Sequence, residues 1–298
     1  MKKFVLPILA MAIAAISCDK TPATVSVSGV KLDKTTLTLT KGDSELLTAT
    51  VLPTDASDKT VTWTSTDEAV AEVEDGTVKA IAAGEATITV TTVDGKKTSE
   101  CKVTVNNPMI NGHEYVDLGL SVKWATMNIG AESQSDYGDY FMWGETDPKQ
   151  LFQWETYSLW NNKVLMKYNK DDGRTVLQLA DDAAHIKWGK GWRIPTKEEA
   201  EELASRCTIT WITKENGGPG NLFTGPNGNS IFFPTSGFMY GTVLYDASDG
   251  LARLWTSTVA ESNDLFNAYI LDLYFGDGTV TGNNTERCTG LPIRPVAD

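Results

Sequence analysis

Aromatic and acidic residues alternate between residues 137 and 160 of the chain. Aromatic faces stack on the C–H groups of sugars, and nearby carboxylates accept hydrogen bonds from hydroxyl groups. The alternative for the rings of this stretch is that they form the core of an irregular domain with little regular structure. Three rings in its less patterned part are predicted to be exposed and to bind a ligand: Trp154, Tyr157 and Trp160.

Two later segments, residues 217–229 and 240–250, are rich in Gly, Asn and Asp and are predicted to be long loops. Binding residues concentrate on such loops. The second loop supplies the other ligand-binding candidates, Tyr240, Tyr245, Asp246 and Asp249. Residues 261–264 follow, where a solvated turn is the favoured interpretation. The alternative is a calcium site that uses the hard oxygen atoms of Glu261, Asn263 and Asp264.

Residues for catalysis are sparse. The carboxylates occur as adjacent doublets, whereas glycoside hydrolysis needs two carboxylates that face each other across a sugar. Neighbours on a strand or helix point apart, so these doublets do not meet that need. The two histidines, His113 and His185, lie in ordinary contexts, and no His/Cys spacing resembles a zinc site. The sequence therefore predicts no catalytic residues, no metal and no cofactor.

The first residues predict export. Lys2 and Lys3 precede an apolar run, residues 4–16, that is too short to span a bilayer but has the length of a signal-peptide core. The run ends at Ala15-Ile16-Ser17-Cys18, which resembles a lipobox and implies cleavage after residue 17 and acylation of Cys18. The alternative is an ordinary signal peptide in which Cys18 is incidental. The interpretation gives a leader at 1–17, a tether at 18–24 and membrane contact through the lipid anchor alone.

The net charge of the chain limits the classes of partner that it is expected to bind. The formal net charge is −13 at pH 7. An acidic chain repels phosphate backbones, which argues against nucleic acid as a partner. An extracellular glycan or protein remains as the predicted partner.

Residues 25–105 are rich in Thr and Val and alternate with a period of two between turn signals such as Asp75-Gly76. This pattern predicts an all-β sandwich with Trp63 and Cys101 facing its core. The stretches "VTWTSTDEAVAEV" and "GEATITV" resemble a group 2 bacterial Ig-like domain. That resemblance implies a spacer or binding module of a surface protein.

Residues 106–109 are predicted to be a linker, and residues 110–298 change in composition, with eight of the nine Trp. "TKEEAEELASRC" predicts a helix with a capping box between Thr196 and Glu199. The remaining segments favour irregular strands, which together with the helix indicate an α+β domain.

This second region carries a resemblance of its own. "EYVDLGLSVKWATMNIGA", "DYGDYFMWGETDPK", "DDAAHIKWGKGWRIPTKEEAEEL", "GNSIFFPTSGF" and "GLPIRPV" resemble, in this order, the Fib_succ_major type of surface domain. That group is similar to C-type-lectin-like folds and implies a lipoprotein of a Gram-negative outer membrane, facing outward. The resemblance to C-type-lectin-like domains also implies a disulfide between Cys207 and Cys288, with two separate thiols as the alternative.

The complete expectation is a multidomain chain, an all-β Ig-like sandwich followed by an α+β C-type-lectin-like domain. Its predicted function is that of a cell-surface lipoprotein with a non-catalytic binding or adhesion module. Two alternatives stay open: a surface enzyme, glycosidase-like or formylglycine-type, and a purely structural surface protein.

Overall fold

The computed structural model describes residues 23–214, 218–261, 265–274, 278–280 and 283–298. The chain forms two compact units, and the division falls between Asn106 and Asn107. Cys18 and the predicted leader lie outside the described residues. In the part of the chain that the structure describes, no helix is both long and apolar enough to cross a membrane.

Between residues 23 and 106, the described part of unit 1, the chain forms nine strands. They are β1 (Gly29–Leu32), β2 (Thr36–Thr40), β3 (Ser44–Leu46), β4 (Ala49–Leu52), β5 (Val61–Ser65), β6 (Ala71–Glu74), β7 (Thr77–Ala80), β8 (Gly84–Thr92) and β9 (Thr98–Asn106). One sheet has the order β2-β9-β8-β5, a second has the order β3-β7-β6, and β1 pairs with β4. Strand β2 runs parallel to β9 over five residue pairs, whereas the other pairs of this unit are antiparallel.

The core of unit 1 follows the alternation of the sequence. Strand β8 buries every second residue, including Ile88 with none of its surface exposed, and β9 does the same with Cys101. Trp63 is half-buried and packs against both apolar clusters of the unit. The inward orientation predicted for Trp63 and Cys101 is therefore confirmed.

Unit 2 contains fifteen strands among the described residues, most of them short. They are β10 (Met109–Ile110), β11 (His113–Val116), β12 (Lys123–Ala125), β13 (Trp160–Asn161), β14 (Val164–Leu165), β15 (Thr208–Lys214), β16 (Gly218–Thr224), β17 (Ser230–Pro234), β18 (Phe238–Tyr240), β19 (Val243–Tyr245), β20 (Ala252–Val259), β21 (Asn267–Tyr274), β22 (Gly278–Val280), β23 (Asn284–Glu286) and β24 (Val296–Ala297). The helices are α1 (Ala183–Trp188) and α2 (Lys197–Arg206), with single 3₁₀ turns at Trp154–Thr156 and Leu179–Asp181.

These strands form three larger sheets and two isolated hairpins. The sheets are β10-β11-β12-β24, β15-β16-β17, and β20-β21 extended by β22 and β23. The hairpins are β13-β14 and β18-β19. Strands β20 and β21 are buried over most of their length, and their buried residues include the polar Thr256, Ser257 and Asp272. Unit 2 is thus mostly β-sheet, and its assignment to the C-type-lectin-like folds stays a prediction.

Both helices begin at a residue whose side chain caps the first turn. The Thr196 hydroxyl accepts a hydrogen bond from the Glu199 backbone N–H at 3.3 Å, and the Glu199 carboxylate accepts one from the Thr196 N–H at 2.8 Å. This capping box is confirmed. Asp182 starts α1 by accepting a hydrogen bond from the His185 N–H at 3.0 Å. Acidic residues before a helix here serve as caps.

The prediction of two long loops, which was made from composition, is largely wrong. Residues Gly218–Thr224 form the central strand β16, which pairs with β15 and β17. A Cβ at Gly220 would lie 2.2 Å from the Phe233 carbonyl oxygen, so glycine permits close packing there rather than mobility. In the second segment, β18 and β19 form a hairpin, and only residues 246–250 make an irregular turn.

Candidate functional site

Three aromatic rings meet at the surface of unit 2: Trp154 and Trp160, which belong to one segment, and Phe266 from a distant part of the chain. We call them the aromatic group. The ring centroids of Trp154 and Trp160 are 4.8 Å apart, and each lies 5.8 Å from that of Phe266. Both tryptophans are half-buried, while Phe266 is 49% exposed. The three rings therefore support one another and leave part of their surface, above all that of Phe266, open to solvent.

Tyr157 anchors the segment that carries the two tryptophans. It is only 2% exposed, and its hydroxyl donates a hydrogen bond to the Trp143 carbonyl oxygen at 2.7 Å. Glu145, also buried, accepts hydrogen bonds from the Ser158 N–H at 2.6 Å and the Lys149 ammonium at 2.7 Å. The prediction that Tyr157 contacts a ligand is wrong, because its ring fills the core.

Hairpin β13-β14 carries Trp160 and turns through Asn162 and Lys163. Both residues have positive φ, 47° and 65°, as a two-residue type I′ turn requires. Leu165 is buried and fixes the hairpin to the core, whereas Val164 and Met166 remain 59% and 57% exposed. The second turn position normally favours glycine, so Lys163 occupies a backbone conformation that is strained for its type.

A groove of about 460 Å³ lies beside the aromatic group. Its lining residues are Lys163, Val164, Leu165, Asn169, Lys170, Asp171, Leu265 and Phe266. The groove thus combines an aromatic and aliphatic wall with cationic, amide and carboxylate groups. This mixture suits a ligand with both apolar faces and hydroxyl groups.

Side chains fix the loop between residues 168 and 174. The Asn169 amide oxygen accepts hydrogen bonds from the N–H groups of Asp171 and Asp172 at 2.9 and 3.2 Å. Burial alone raises the pKa of the Asp172 carboxyl, but hydrogen bonds from the N–H groups of Arg174, Tyr168 and Asn169 outweigh it and lower the pKa. Asp172 therefore stays ionised and holds the loop closed.

Tyr168 and Arg287 connect the two sides of the groove. Tyr168 has φ 57°, and its buried hydroxyl donates a hydrogen bond to Asp181 at 2.7 Å. The Arg287 guanidinium donates to the Tyr168 carbonyl oxygen at 2.9 Å, while its backbone N–H donates to the Phe266 carbonyl oxygen at 2.9 Å. One buried arginine thus positions both the loop and the aromatic ring that face each other across the groove.

A larger cleft of about 580 Å³ adjoins the groove and shares Asn169, Lys170 and Leu265 with it. Its charged lining residues are Lys170, Arg174, Lys197, Glu198 and Glu261. The Lys197 ammonium lies 4.3 Å from the ring centroid of Tyr269 and 3.6 Å from the Glu201 carboxylate. Its position in the cleft is fixed by these two contacts.

The second group of predicted binding residues lies on another hairpin. Tyr240 and Tyr245 are 48% and 41% exposed on β18 and β19, and the Tyr245 ring stacks on Phe238 with centroids 5.4 Å apart. Asp246 and Asp249 are exposed in the turn that follows. Among the described residues, no ring contact joins this hairpin to the aromatic group. The structure therefore offers two separate candidate surfaces.

Two of the three predicted calcium ligands lie outside the described residues. Glu261 is exposed and lines the cleft, but Asn263 and Asp264 fall in the part that is not described. Within the described ranges, no group of three or more His, Cys, Asp or Glu residues is arranged to hold a metal ion.

The predicted disulfide is wrong. Cys207 and Cys288 are both free thiols. Cys207 follows α2 and packs beside Leu203 and Phe223, whereas Cys288 lies in a different apolar cluster with Phe141 and Leu291. Burial, together with the nearby Glu286 carboxylate, raises the pKa of the Cys288 thiol to about 12.

Sequence reasoning missed Phe266, Lys163 and Lys170, which complete the groove. Phe266 directly precedes an apolar strand, where a large apolar residue gives no signal of its own. The Asn162-Lys163 pair could have been recognised as a short hairpin turn between Trp160-Asn161 and Val164-Leu165. Nothing in the sequence indicates that the three segments meet, because packing in three dimensions brings them together.

The sequence of unit 1 matches a known domain family. Residues 26–103 match the family of bacterial Ig-like domains of group 2, which confirms the prediction made from the sequence motifs. The match covers less than half of the chain and falls within unit 1.

Two curated relatives illustrate where similar sequence occurs. An alpha-L-arabinofuranosidase of Bifidobacterium longum subsp. longum is 40% identical over 138 residues, which are 44% of this chain and 13% of that protein. An Ig-like virion protein of Serratia phage KSP90 is 47% identical over 88 residues, 29% of this chain and 34% of that protein. The chain therefore spans only a minor part of either relative.

Among solved structures, domains 4 and 5 of the S-layer protein SbsC are 25% identical to this chain. The similarity covers 26% of this chain and 51% of that one, with a TM-score of 0.24. So low a score does not establish a shared fold.

Proposed function

We propose that this chain is a non-enzymatic surface lipoprotein whose unit 2, a C-type-lectin-like domain, binds a glycan in the groove. The observation that carries the proposal is the aromatic group at the border of that groove. Phe266 of this group lines the groove and is half-exposed, which allows a sugar ring to pack against it, and Lys170 and Asp171 offer hydrogen bonds to hydroxyl groups.

Unit 1 acts as a spacer in this proposal, and an acylated Cys18 anchors the chain to the outer membrane. In both curated relatives the similar segment is a small share of a longer protein, which is what a spacer module leads one to expect. A virion protein among the relatives supports a location at a surface.

The chemistry of the described thiols favours binding over catalysis. Burial raises the pKa of Cys207 as well as that of Cys288, so neither supplies the thiolate that a formylglycine-type oxidation needs. His113 stacks flat on Trp188 with ring centroids 3.9 Å apart, an arrangement of a packing residue rather than a general base.

A glycan array screened with the purified protein tests the proposal, followed by calorimetric titration of each oligosaccharide that binds. Phe266→Ala, the variant with the smallest structural cost, is expected to weaken binding about tenfold, which corresponds to the loss of one stacking contact. Trp154→Ala and Trp160→Ala are expected to weaken it at least as much.

Tyr240→Ala is the matched control because it removes an equally exposed ring from the other candidate surface. Its affinity is expected to equal that of the unchanged protein. Loss of binding in this variant but not in Phe266→Ala would move the site to hairpin β18-β19. Release of reducing ends from a bound oligosaccharide would instead establish an enzyme, with Glu198 and Glu261 as its first candidates. Absence of binding to every glycan on the array would leave a structural role.

A further inference from the structure

The charge around the groove and cleft differs from that of the chain. The chain has a net charge of −13 at pH 7. The lining of the two hollows nevertheless contains four cations, Lys163, Lys170, Arg174 and Lys197, against the three carboxylates Asp171, Glu198 and Glu261. The lining itself thus contains one cation more than carboxylates, in a chain in which acidic residues are in excess.

Two of these four cations, Lys163 and Lys170, have no ionic partner within the described residues. The other two are paired. Arg174 lies 3.8 Å from Asp172, and Lys197 lies 3.6 Å from Glu201. By contrast, Lys163 and Lys170 are exposed on the groove, and among the described residues neither forms an ion pair. Their charges are available to a ligand.

The backbone at Lys163 points to a use for its side chain. Unit 1 makes a turn of the same geometry with Asp75 and Gly76, whose φ angles are 48° and 83°, and places glycine at the second position. Unit 2 places Lys163 at that position and accepts the strain of a left-handed lysine. Strained residues concentrate at ligand sites, where the side chain itself is needed.

We propose that the glycan is acidic and that Lys163 and Lys170 bind its carboxylate or sulfate group while its ring stacks on the aromatic group. This inference rests on the proposed glycan-binding function and specifies its ligand class. The two lysines and Phe266 line the same groove, so a glycan bound there meets both the ring and the cations. Uronic acids and sulfate esters present the same anionic chemistry.

Calorimetric titration with three oligosaccharides tests the charge directly: tetragalacturonic acid, its fully methyl-esterified form and a chondroitin sulfate tetrasaccharide. The acid and the ester share the same sugar rings, and the ester replaces each carboxylate by a neutral methyl ester. The acid is expected to bind at least tenfold more tightly than the ester, and its affinity is expected to fall with added sodium chloride because exposed ion pairs are screened by salt. Chondroitin sulfate contains uronate carboxylates as well as sulfate esters, so if this oligosaccharide alone binds, with the same dependence on salt and on the lysines, the ligand is a sulfated glycan.

The lysines are tested by Lys163→Gln, Lys170→Gln and the double variant. Each single change is expected to weaken binding of the acid roughly threefold, and the pair roughly tenfold. Lys163→Arg is expected to retain most of the affinity of the unchanged protein, because it keeps the positive charge. Lys190→Gln, an exposed lysine of the same unit outside both hollows, is the control and is expected to change nothing.

Four results would overturn the inference. Equal affinity for acid and ester would remove the role of charge, yet would leave glycan binding intact. An unchanged affinity of the double variant would place the anion elsewhere. Array hits restricted to neutral glycans would contradict the ligand class alone, whereas the absence of all glycan binding would remove the proposed function as well.

Discussion

The cores of units 1 and 2 differ in the kinds of side chain that they bury. In unit 1, strand faces alternate between buried and exposed, and Thr92 is the one polar side chain buried there among the described residues. Unit 2 buries charged side chains, among them Glu145, Asp272, Arg287 and Arg294. Its short strands leave many backbone carbonyl groups without a ladder partner, and buried arginines supply the missing donors. The comparison shows that irregular backbone can be held by polar side chains where sheets end.

Arg294 illustrates this mode of stabilisation. It is 1% exposed, and its guanidinium donates to the carbonyl oxygens of Ala125, Thr126 and Phe232 at 3.1–3.2 Å. A further bond runs to the Asn128 side chain at 2.7 Å. Burial lowers its pKa to about 9, which is still above neutral pH, so the group remains charged.

The largest expected effect follows from removing this group. Arg294→Met keeps most of the volume but leaves buried carbonyl oxygens without donors, and we expect a loss of about 4 kcal/mol in the unfolding free energy of unit 2. Tryptophan fluorescence during denaturant unfolding measures it, because eight of the nine Trp lie in this unit. The exposed Arg206→Met is the control. A loss below 1 kcal/mol would contradict the role given to buried arginines.

The corresponding change in unit 1 removes apolar volume. Ile88 is fully buried between the sheets, and Ile88→Ala is expected to lower the stability of unit 1 by about 3 kcal/mol through lost burial and a residual cavity. Hydrogen exchange of the β8 and β9 amides reports it. Leu46→Ala, at a site 57% exposed, should leave the exchange rates almost unchanged. Equal effects of the two substitutions would show that alternation does not define this core.

Glycine offers a matched test of packing in the two units. Gly220→Ala in β16 would place a methyl group against the Phe233 carbonyl oxygen and the Phe232 ring, with an expected cost of about 2 kcal/mol. Gly29→Ala in β1 meets no atom within 4 Å and should stabilise by less than about 1 kcal/mol. Thermal unfolding of both variants measures the difference. Tolerance of alanine at residue 220 would restore the interpretation of that segment as a loop.

The smallest expected effect concerns the two-residue turns Asp75-Gly76 in unit 1 and Asn162-Lys163 in unit 2, in which both residues have positive φ. Lys163→Gly relieves a left-handed lysine but increases the freedom of the unfolded chain, so we expect a net gain of roughly 0.5 kcal/mol. Thermal unfolding measures this gain, and calorimetry with an acidic oligosaccharide should show weaker binding at the same time. A less stable protein would mean that the Lys163 side chain contributes to folding rather than to a ligand site.

Period-two alternation made unit 1 predictable, down to the Asp75-Gly76 turn and the inward orientation of Cys101. The capping box of α2 was equally clear, because Thr196 and Glu199 interact within one turn of helix. Such features depend on neighbours in the sequence, and physical chemistry therefore determines them locally.

The candidate site was only partly predictable. Trp154 and Trp160 were identified, but Tyr157 between them was misjudged because exposure depends on distant partners such as Trp143. Gly and Asn in residues 217–229 suggested mobility, although Gly220 is required by close strand packing. Phe266 and Lys170 join the groove through tertiary contacts that no sequence spacing encodes.

The parallel pairing of β2 with β9 has a mechanical consequence. A chain held at its amino end and pulled at its carboxyl end loads these two strands in opposite directions along their length. All five residue pairs, from Thr36–Lys102 to Thr40–Asn106, then resist the force together instead of opening one after another. This shear arrangement slows forced unfolding, which is governed by the unfolding rate. A spacer exposed to fluid flow would keep its shape under tension for that reason.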